Sequence, residues 1–267
     1  MIERRLRGGS SGPLALGALL PVAAALLIGG CGGPPSGKAS AKGPEATAAE
    51  PPEATTFAEL RGVPKDATPR AATDGLVAHP AGAVPVADRP GGRPVATLPA
   101  EQLKGPTWVP VVERSGGWLR VLLPSRPDQA SGWISERSPG LRTARTPYVV
   151  KVDLARRKLT LLKSSRRVGS WTVAVGAART PTPSGRTFLL AQLAPAKGTP
   201  SPLVLPLGTH SATLDTFGGG PGTVALHGWP DRSVFGKAVT HGCVRVPKEA
   251  LRELSRVPLG TLVHISG

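Results

Sequence analysis

The chain reads as a mainly β protein, a small barrel of short strands followed by an antiparallel β-meander with one short helix. Three observations carry this reading. Apolar runs rich in Val and Leu are short and broken by Pro and Gly along most of the chain. Helical spacing occurs once near the end, at Leu251 and Leu254 after Pro247. Strand-like and helix-like segments do not alternate, which argues against a doubly wound nucleotide-binding fold. A hydrophobic content of 40% over 267 residues is enough for a core. The 34 Gly and 30 Pro are about a quarter of the chain, close to low-complexity composition, so part of it is linker.

Residues 1–30 have the layout of a secretory signal. Arg4, Arg5 and Arg7 precede an uncharged, mostly apolar run over 13–30. That run is short for a permanent span and is weakened by Pro21 and several Gly. It ends Leu27-Ile28-Gly29-Gly30-Cys31, which resembles the lipobox of bacterial lipoproteins, cleaved before the cysteine and lipidated on it. An ordinary signal peptide and an uncleaved anchor are the alternatives. All three place the body of the protein outside the cytoplasm, the first as a membrane-anchored lipoprotein facing the cell wall or periplasm. Export removes nucleic acid as a partner, and aromatics at 4% already argue against a base-stacking surface. The charge of +16 then reads as attraction to envelope polyanions, or as a solvated basic surface.

Residues 31–71 lack hydrophobic periodicity and read as a flexible tether. The barrel is expected over 72–138, with strands near 82–86, 95–98, 108–112, 118–123 and 132–134. Gly116-Gly117-Trp118 and Gly132-Trp133-Ile134 resemble the last strands of bacterial SH3-like domains, and Trp118 and Trp133 read as core residues. A second domain is expected over 146–266. Strands near 148–154, 158–163 and 171–175 are joined by polar turns at 155–157 and 164–169. A Pro-Ser-Gly turn over 183–185 precedes a strand-like run at 188–193. The helix after Pro247 and a strand over 260–265 close the chain.

Chemistry concentrates between residues 223 and 246, which hold His227-Gly228 and Thr240-His241-Gly242-Cys243-Val244-Arg245. Cys243 is the one thiol beyond Cys31, and a thiol is the best side-chain nucleophile at neutral pH once something helps it ionise. His227 ends an apolar run, so it projects from a strand end as a plausible base. Gly242 lets the backbone turn sharply and aim N–H groups at a developing oxyanion. His241 is too close in sequence to be the preferred base and shapes the turn. Arg245 shares a side with Cys243 if the segment is extended, where it would hold a substrate carboxylate. Two other readings stand beside this one: zinc held by His227, His241, Cys243 and His210, and an inert buried thiol. Two cysteines exclude a disulfide framework and an all-cysteine metal cage. No obvious carboxylate pair supports glycan hydrolysis.

His227-Gly228, Ser233-Val234-Phe235-Gly236 and Thr240-His241-Gly242-Cys243-Val244-Arg245 resemble the signature of the L,D-transpeptidase catalytic domain. The resemblance extends to Val152-Asp153-Leu154, Val175-Gly176 and Thr182-Pro183-Ser184-Gly185, and covers about 146–266. It implies a β-sandwich with one short helix, preceded here by the SH3-like barrel. It also implies Cys243 as nucleophile and His227 as general base, with the Gly228 carbonyl orienting the imidazole. His241, Gly242, Cys243 and Thr240 would shape the oxyanion turn, and Arg245 would line the site. Thr240 stands where Ser is more frequent, and no acid is available as a third triad member. The implied partners are peptidoglycan stem peptides, cross-linked through a Cys243 thioester with no cofactor and no metal. An L,D-carboxypeptidase using the same site and a non-catalytic wall-binding lipoprotein remain the alternatives.

Overall fold

The computed structural model describes residues 50–195 and 199–267. The expected signal peptide, Cys31 and the tether up to residue 49 lie outside the described residues. Seven strands form the first sheet, in the order Pro94–Leu98, Val84–Ala87, Ser131–Ser135, Trp118–Leu122, Val109–Ser115, Leu76–Pro80, Leu141–Arg145. Every pairing in it is antiparallel. Its apolar side chains, among them Val84, Val86, Leu98, Val109, Leu119, Val121 and Ile134, bury into one cluster. Trp133 is buried as expected of a core residue, whereas Trp118 is only partly covered.

The second half is a sandwich. A five-stranded sheet runs Arg166–Thr172, Lys158–Lys163, Tyr148–Asp153, Leu262–Ser266, Gly185–Phe188. A three-stranded sheet runs Val204–His210, Thr223–Gly228, Val244–Val246. Val150, Val152, Leu159, Leu161, Val263 and Ile265 from the first meet Leu205, Leu207, Val224, Leu226, Val244 and Val246 from the second in a shared core. Helix Lys248–Leu254 adds Ala250, Leu251 and Leu254 to that core. Pro247 stands at its N-cap rather than inside its first turn, and Glu249 and Arg252 complement the two ends of its dipole.

Three expectations are corrected. Residues 50–71, read as tether, are packed: Ala54, Thr56, Leu60 and Asp66 are buried. Isolated bridges join Glu53 to Thr97, Glu59 to Arg126 and Lys65 to Ala130. The segment has too few apolar residues to show a period, but those it has fall where the first sheet leaves gaps. The boundaries drawn at 138 and 146 also give way. Leu141–Arg145 pairs with Leu76–Pro80 inside the first sheet, and Phe188, Leu190 and Leu262 of the second half complete the first core. The described residues accordingly form one compact unit. Finally, the strand placed at 171–175 runs Arg166–Thr172. Ser164 and Ser165 both have positive φ and make a tight hairpin turn, so the polar residues after them already belong to the strand.

The packed segment is pinned by charge. Arg186, on Gly185–Phe188, donates from Nε to Asp66 Oδ2 at 2.5 Å and from Nη2 to Asp66 Oδ1 at 2.7 Å. Both side chains are 1% exposed. Further bonds reach the Ala71 carbonyl and Thr68 Oγ1, each at 3.0 Å. Removing one partner strands a buried charge, so Arg186→Met is expected to lower unfolding stability by about 3–5 kcal/mol in urea titrations. Adding Asp66→Leu to that variant should recover most of the loss.

Candidate active site

The site grows from the middle strand of the three-stranded sheet. Thr223–Gly228 pairs antiparallel with Val204–His210 on one side and parallel with Val244–Val246 on the other, in the register Leu226 with Val244, His227 with Arg245 and Gly228 with Val246. Paired residues share a face, and alternate residues along a strand take opposite faces. Val224, Leu226, Val244 and Val246 fill the core, so Ala225, His227 and Arg245 take the other face. Cys243, two residues before Arg245, falls on that same side. The Ala225 N–H donates to Cys243 Sγ at 3.4 Å and holds the sulfur against the strand that carries His227.

His227 is oriented by its own backbone. Nδ1 lies 2.9 Å from the Gly228 carbonyl oxygen, and since a carbonyl only accepts, Nδ1 carries the proton and Nε2 keeps its lone pair. The carbonyl itself is steadied because the Gly228 N–H donates to Ser201 Oγ at 2.7 Å. Trp229 meets the imidazole edge-on with ring centroids 6.0 Å apart. Its indole also lies 3.6 Å from the Arg245 guanidinium carbon, a cation–π contact. The Arg245 Nε is buried with no hydrogen-bond partner.

The turn before Cys243 is held by threonine hydroxyls. Thr240 Oγ1 donates to the Cys243 carbonyl at 2.5 Å and receives the Gly242 N–H at 3.2 Å. Thr182 Oγ1 donates to the Gly242 carbonyl at 2.8 Å and accepts the Gly176 N–H at 2.9 Å. Thr180 Oγ1 donates to the Thr240 carbonyl at 2.8 Å. Gly242 has φ of +117°, a conformation that a side chain would strain. Gly176 is required for a different reason: a Cβ there would lie 2.3 Å from the Thr180 carbonyl oxygen, so only glycine lets the 177–182 loop close onto the turn.

Burial sets the electrostatics. Desolvation pushes the Cys243 thiol above its ordinary pKa, against smaller lowering effects of the Ala225 N–H and the Arg245 charge. Burial likewise pushes His227 below its ordinary value, opposed by its bond to Gly228 and assisted by Arg245. At neutral pH the thiol and the imidazole are thus both uncharged at rest.

The structure brings Cys243, His227, Gly228, Thr240, Gly242 and Arg245 together. His241 is exposed and turned toward Phe217, 5.1 Å between ring centroids. His210 sits elsewhere, its ring fully buried between the Thr56 carbonyl at 2.8 Å and Asp128 at 3.3 Å, so the four-ligand zinc set is not assembled. Thr180, Thr182 and Trp229 join the site although sequence reasoning gave them no role. Thr182 carried a signal, being the first residue of the Thr-Pro-Ser-Gly stretch. Nothing marks Trp229 before the strands are paired.

The neutral pair has a measurable signature. The His227 imidazole should titrate by NMR with its midpoint below 6.5, the ordinary value for histidine. In Arg245→Gln one depressing charge is lost, so that midpoint moves up, and the thiolate absorbance of Cys243 moves to still higher pH. A midpoint unmoved by the substitution would separate Arg245 from the pair.

Comparison with known proteins identifies the family. The model of the YkuD family, an L,D-transpeptidase catalytic domain, matches residues 147–265. Relatives named for the L,D-transpeptidase YkuD are 33% identical over 153 residues in Bacillus licheniformis and 31% identical over 151 in Bacillus subtilis. Each alignment covers 55% of this chain, and respectively 86% and 85% of the relative. Among solved structures, an L,D-transpeptidase from Mycobacterium smegmatis aligns at 14% identity over 60% of this chain and 99% of that one. Its TM-score of 0.38 is too low to rest an assignment on. With the family model matching residues 147–265 and two relatives above 30% identical, of which 86% and 85% are covered, this chain belongs to the L,D-transpeptidase family.

Proposed function

We propose that this member of the L,D-transpeptidase family cross-links peptidoglycan and that it works by two acyl transfers through Cys243. The carrying observation is the shared strand face: Cys243 Sγ is held by the Ala225 N–H, and His227 keeps Nε2 unprotonated by committing Nδ1 to the Gly228 carbonyl. As Sγ attacks the carbonyl carbon of the third residue of a donor stem peptide, Nε2 takes the thiol proton. The carbonyl electrons move to oxygen. Because the Gly242 N–H is spent on Thr240, the oxyanion donor we assign is the N–H of Cys243. Collapse breaks the amide, the terminal D-Ala leaves with the proton from Nε2, and a thioester remains.

An acceptor amine then attacks the thioester carbon while Nε2 removes its proton. The new amide forms as Cys243 leaves, and the proton returns to sulfur. The energy of the broken amide is carried in the thioester, so no nucleotide is consumed. Arg245 receives a stem-peptide carboxylate in this reading, which its unpartnered Nε and its stacking on the Trp229 indole support. Water attacking instead of the amine would make the same site an L,D-carboxypeptidase.

Two experiments test this reading. A carbapenem should form a covalent adduct with the protein in intact-mass spectra, and Cys243→Ala should abolish it; undiminished labelling removes Cys243 as nucleophile. A defined disaccharide tetrapeptide should yield a cross-linked dimer, whereas tripeptide alone points to the carboxypeptidase and unchanged substrate to a wall binder.

We further propose that the protein is exported and anchored through lipid on Cys31, a residue outside those described. The resemblance of residues 27–31 to a lipobox supports this. Thiol labelling of the mature protein should then find Cys243 and no other site, since Cys31 would be blocked; labelling of both cysteines would remove the anchor.

A further inference from the structure

The loop over residues 211–222 links Val204–His210 to the strand bearing His227, and its anchors lie outside the catalytic-domain match. Its stems are buried at Ser211 and Gly222 while its tip is exposed. Arg126, beyond the strand Trp118–Leu122 of the first sheet, donates from Nη1 to the Ser211 carbonyl at 3.2 Å. Its Nη2 donates to the carbonyls of Leu214 and Pro221, each also at 3.2 Å. One guanidinium therefore ties both stems together.

Neighbours of Arg126 reinforce the grip. Asp128 accepts the His210 N–H at 2.8 Å where the loop begins. Thr56 Oγ1 meets Thr223 Oγ1 at 2.7 Å where it ends. Arg126 is itself fixed by the packed segment, its N–H donating to the Ala58 carbonyl at 2.9 Å and its own carbonyl accepting the Leu60 N–H at 2.8 Å. At the tip, Phe217 and Gly220 exchange two backbone bonds of 3.0 Å, and the Phe217 ring is the one that faces His241.

Three carbonyls converging on one side chain call for a planar fork of donors. A lysine ammonium has fewer donors in a compact head and does not reach three acceptors spread over two stems. The tip reads Phe217-Gly218-Gly219-Gly220, a composition that resists ordering because glycine loses the most backbone entropy. Beyond the two Phe217–Gly220 bonds, order at the tip comes from the stems, and the stems are held by Arg126 and Asp128, which follow the strand Trp118–Leu122, and by Thr56 of the packed segment.

We propose that Arg126 is a positioning residue of this enzyme: by clamping residues 211–222 it holds Phe217 as a wall beside the His241-Gly242-Cys243 turn, and that wall sets how tightly the stem peptide is held. The kinetic part rests on the Cys243 reading above, whereas the clamp itself does not.

The test uses the mature protein carrying R126Q, R126K or F217A. Hydrogen–deuterium exchange of the resting protein reads the clamp. Kinetics on the disaccharide tetrapeptide read the wall, and Cys243 alkylation by iodoacetamide reads the thiol. In R126Q, amides of residues 214–221 should exchange about tenfold faster and KM should rise about fivefold, each roughly 1 kcal/mol or a little more. Its kcat should stay within about twofold and its alkylation rate should not change. R126K should fall between wild type and R126Q. F217A should raise KM while the stems at 211–214 exchange as in the wild type, because the three Arg126 bonds remain.

Unchanged exchange and KM in R126Q would overturn the proposal. So would a fall in kcat at constant KM, or accelerated exchange throughout both cores, which would make Arg126 a residue of general stability. A wild-type enzyme that yields no product while R126Q still loosens the loop would sink the transpeptidase reading and leave the clamp standing.

Discussion

The parallel pairing of Thr223–Gly228 with Val244–Val246 is the constraint on which the site depends. It carries Val224, Leu226, Val244 and Val246 into the core, and the same alternation forces His227 and Arg245 outward on one face. A slip of one residue would bury the imidazole and expose the valines. The apolar core therefore protects the geometry of the site, because a one-residue slip that turns His227 inward also turns the four aliphatic side chains toward water. Strands paired in parallel need a long crossover, and the chain between Gly228 and Val244 supplies it with the short 3-10 turn Arg232–Val234 and the strand Ala238–Thr240.

Against that rigid face, the turn before Cys243 is shaped by hydroxyls rather than by apolar packing. Thr180, Thr182 and Thr240 each close a bond onto its backbone, so three short side chains do the work of a larger element. Burial has a cost here, since it disfavours both the thiolate and the imidazolium. The result is a resting site without charge separation, in which the proposed mechanism has proton transfer accompany attack. A carboxylate beside the imidazole would alter that balance by favouring the charged ring; the Gly228 carbonyl fixes the tautomer with less electrostatic pull.

The first sheet is joined to this machinery more closely than two domains on a linker would be. Phe188, Leu190 and Leu262 belong to its core, the buried Arg186–Asp66 pair ties residues 50–71 to the five-stranded sheet, and Arg126 reaches the loop before His227. Each contact spans a large separation in sequence, and the two polar ones involve residue types that are common on solvated surfaces. An arginine in a Pro-rich stretch gives no local sign that it will meet three carbonyls. Nor does an Ala-, Pro- and Glu-rich segment announce that its few apolar side chains fill gaps elsewhere.

Local chemistry was legible in the sequence for a physical reason. The one thiol of the described residues, a His-Gly ending an apolar run and a glycine directly before the cysteine all fall between residues 227 and 243, so the chemistry of the proposed site lies within one short stretch of chain. Short Val- and Leu-rich runs between turns likewise determined that the protein is mainly β, because strand period and turn chemistry act over a few residues. Tertiary structure alone decided the rest. Residues 50–71 became part of the body, Leu141–Arg145 became a strand of the first sheet, and His210 went to a structural network with Thr56 and Asp128. Thr182 and Trp229 reached the site only once distant strands had paired. Those outcomes depend on which surfaces meet across the fold, and burial energy between segments far apart in the chain leaves no periodic trace in either segment.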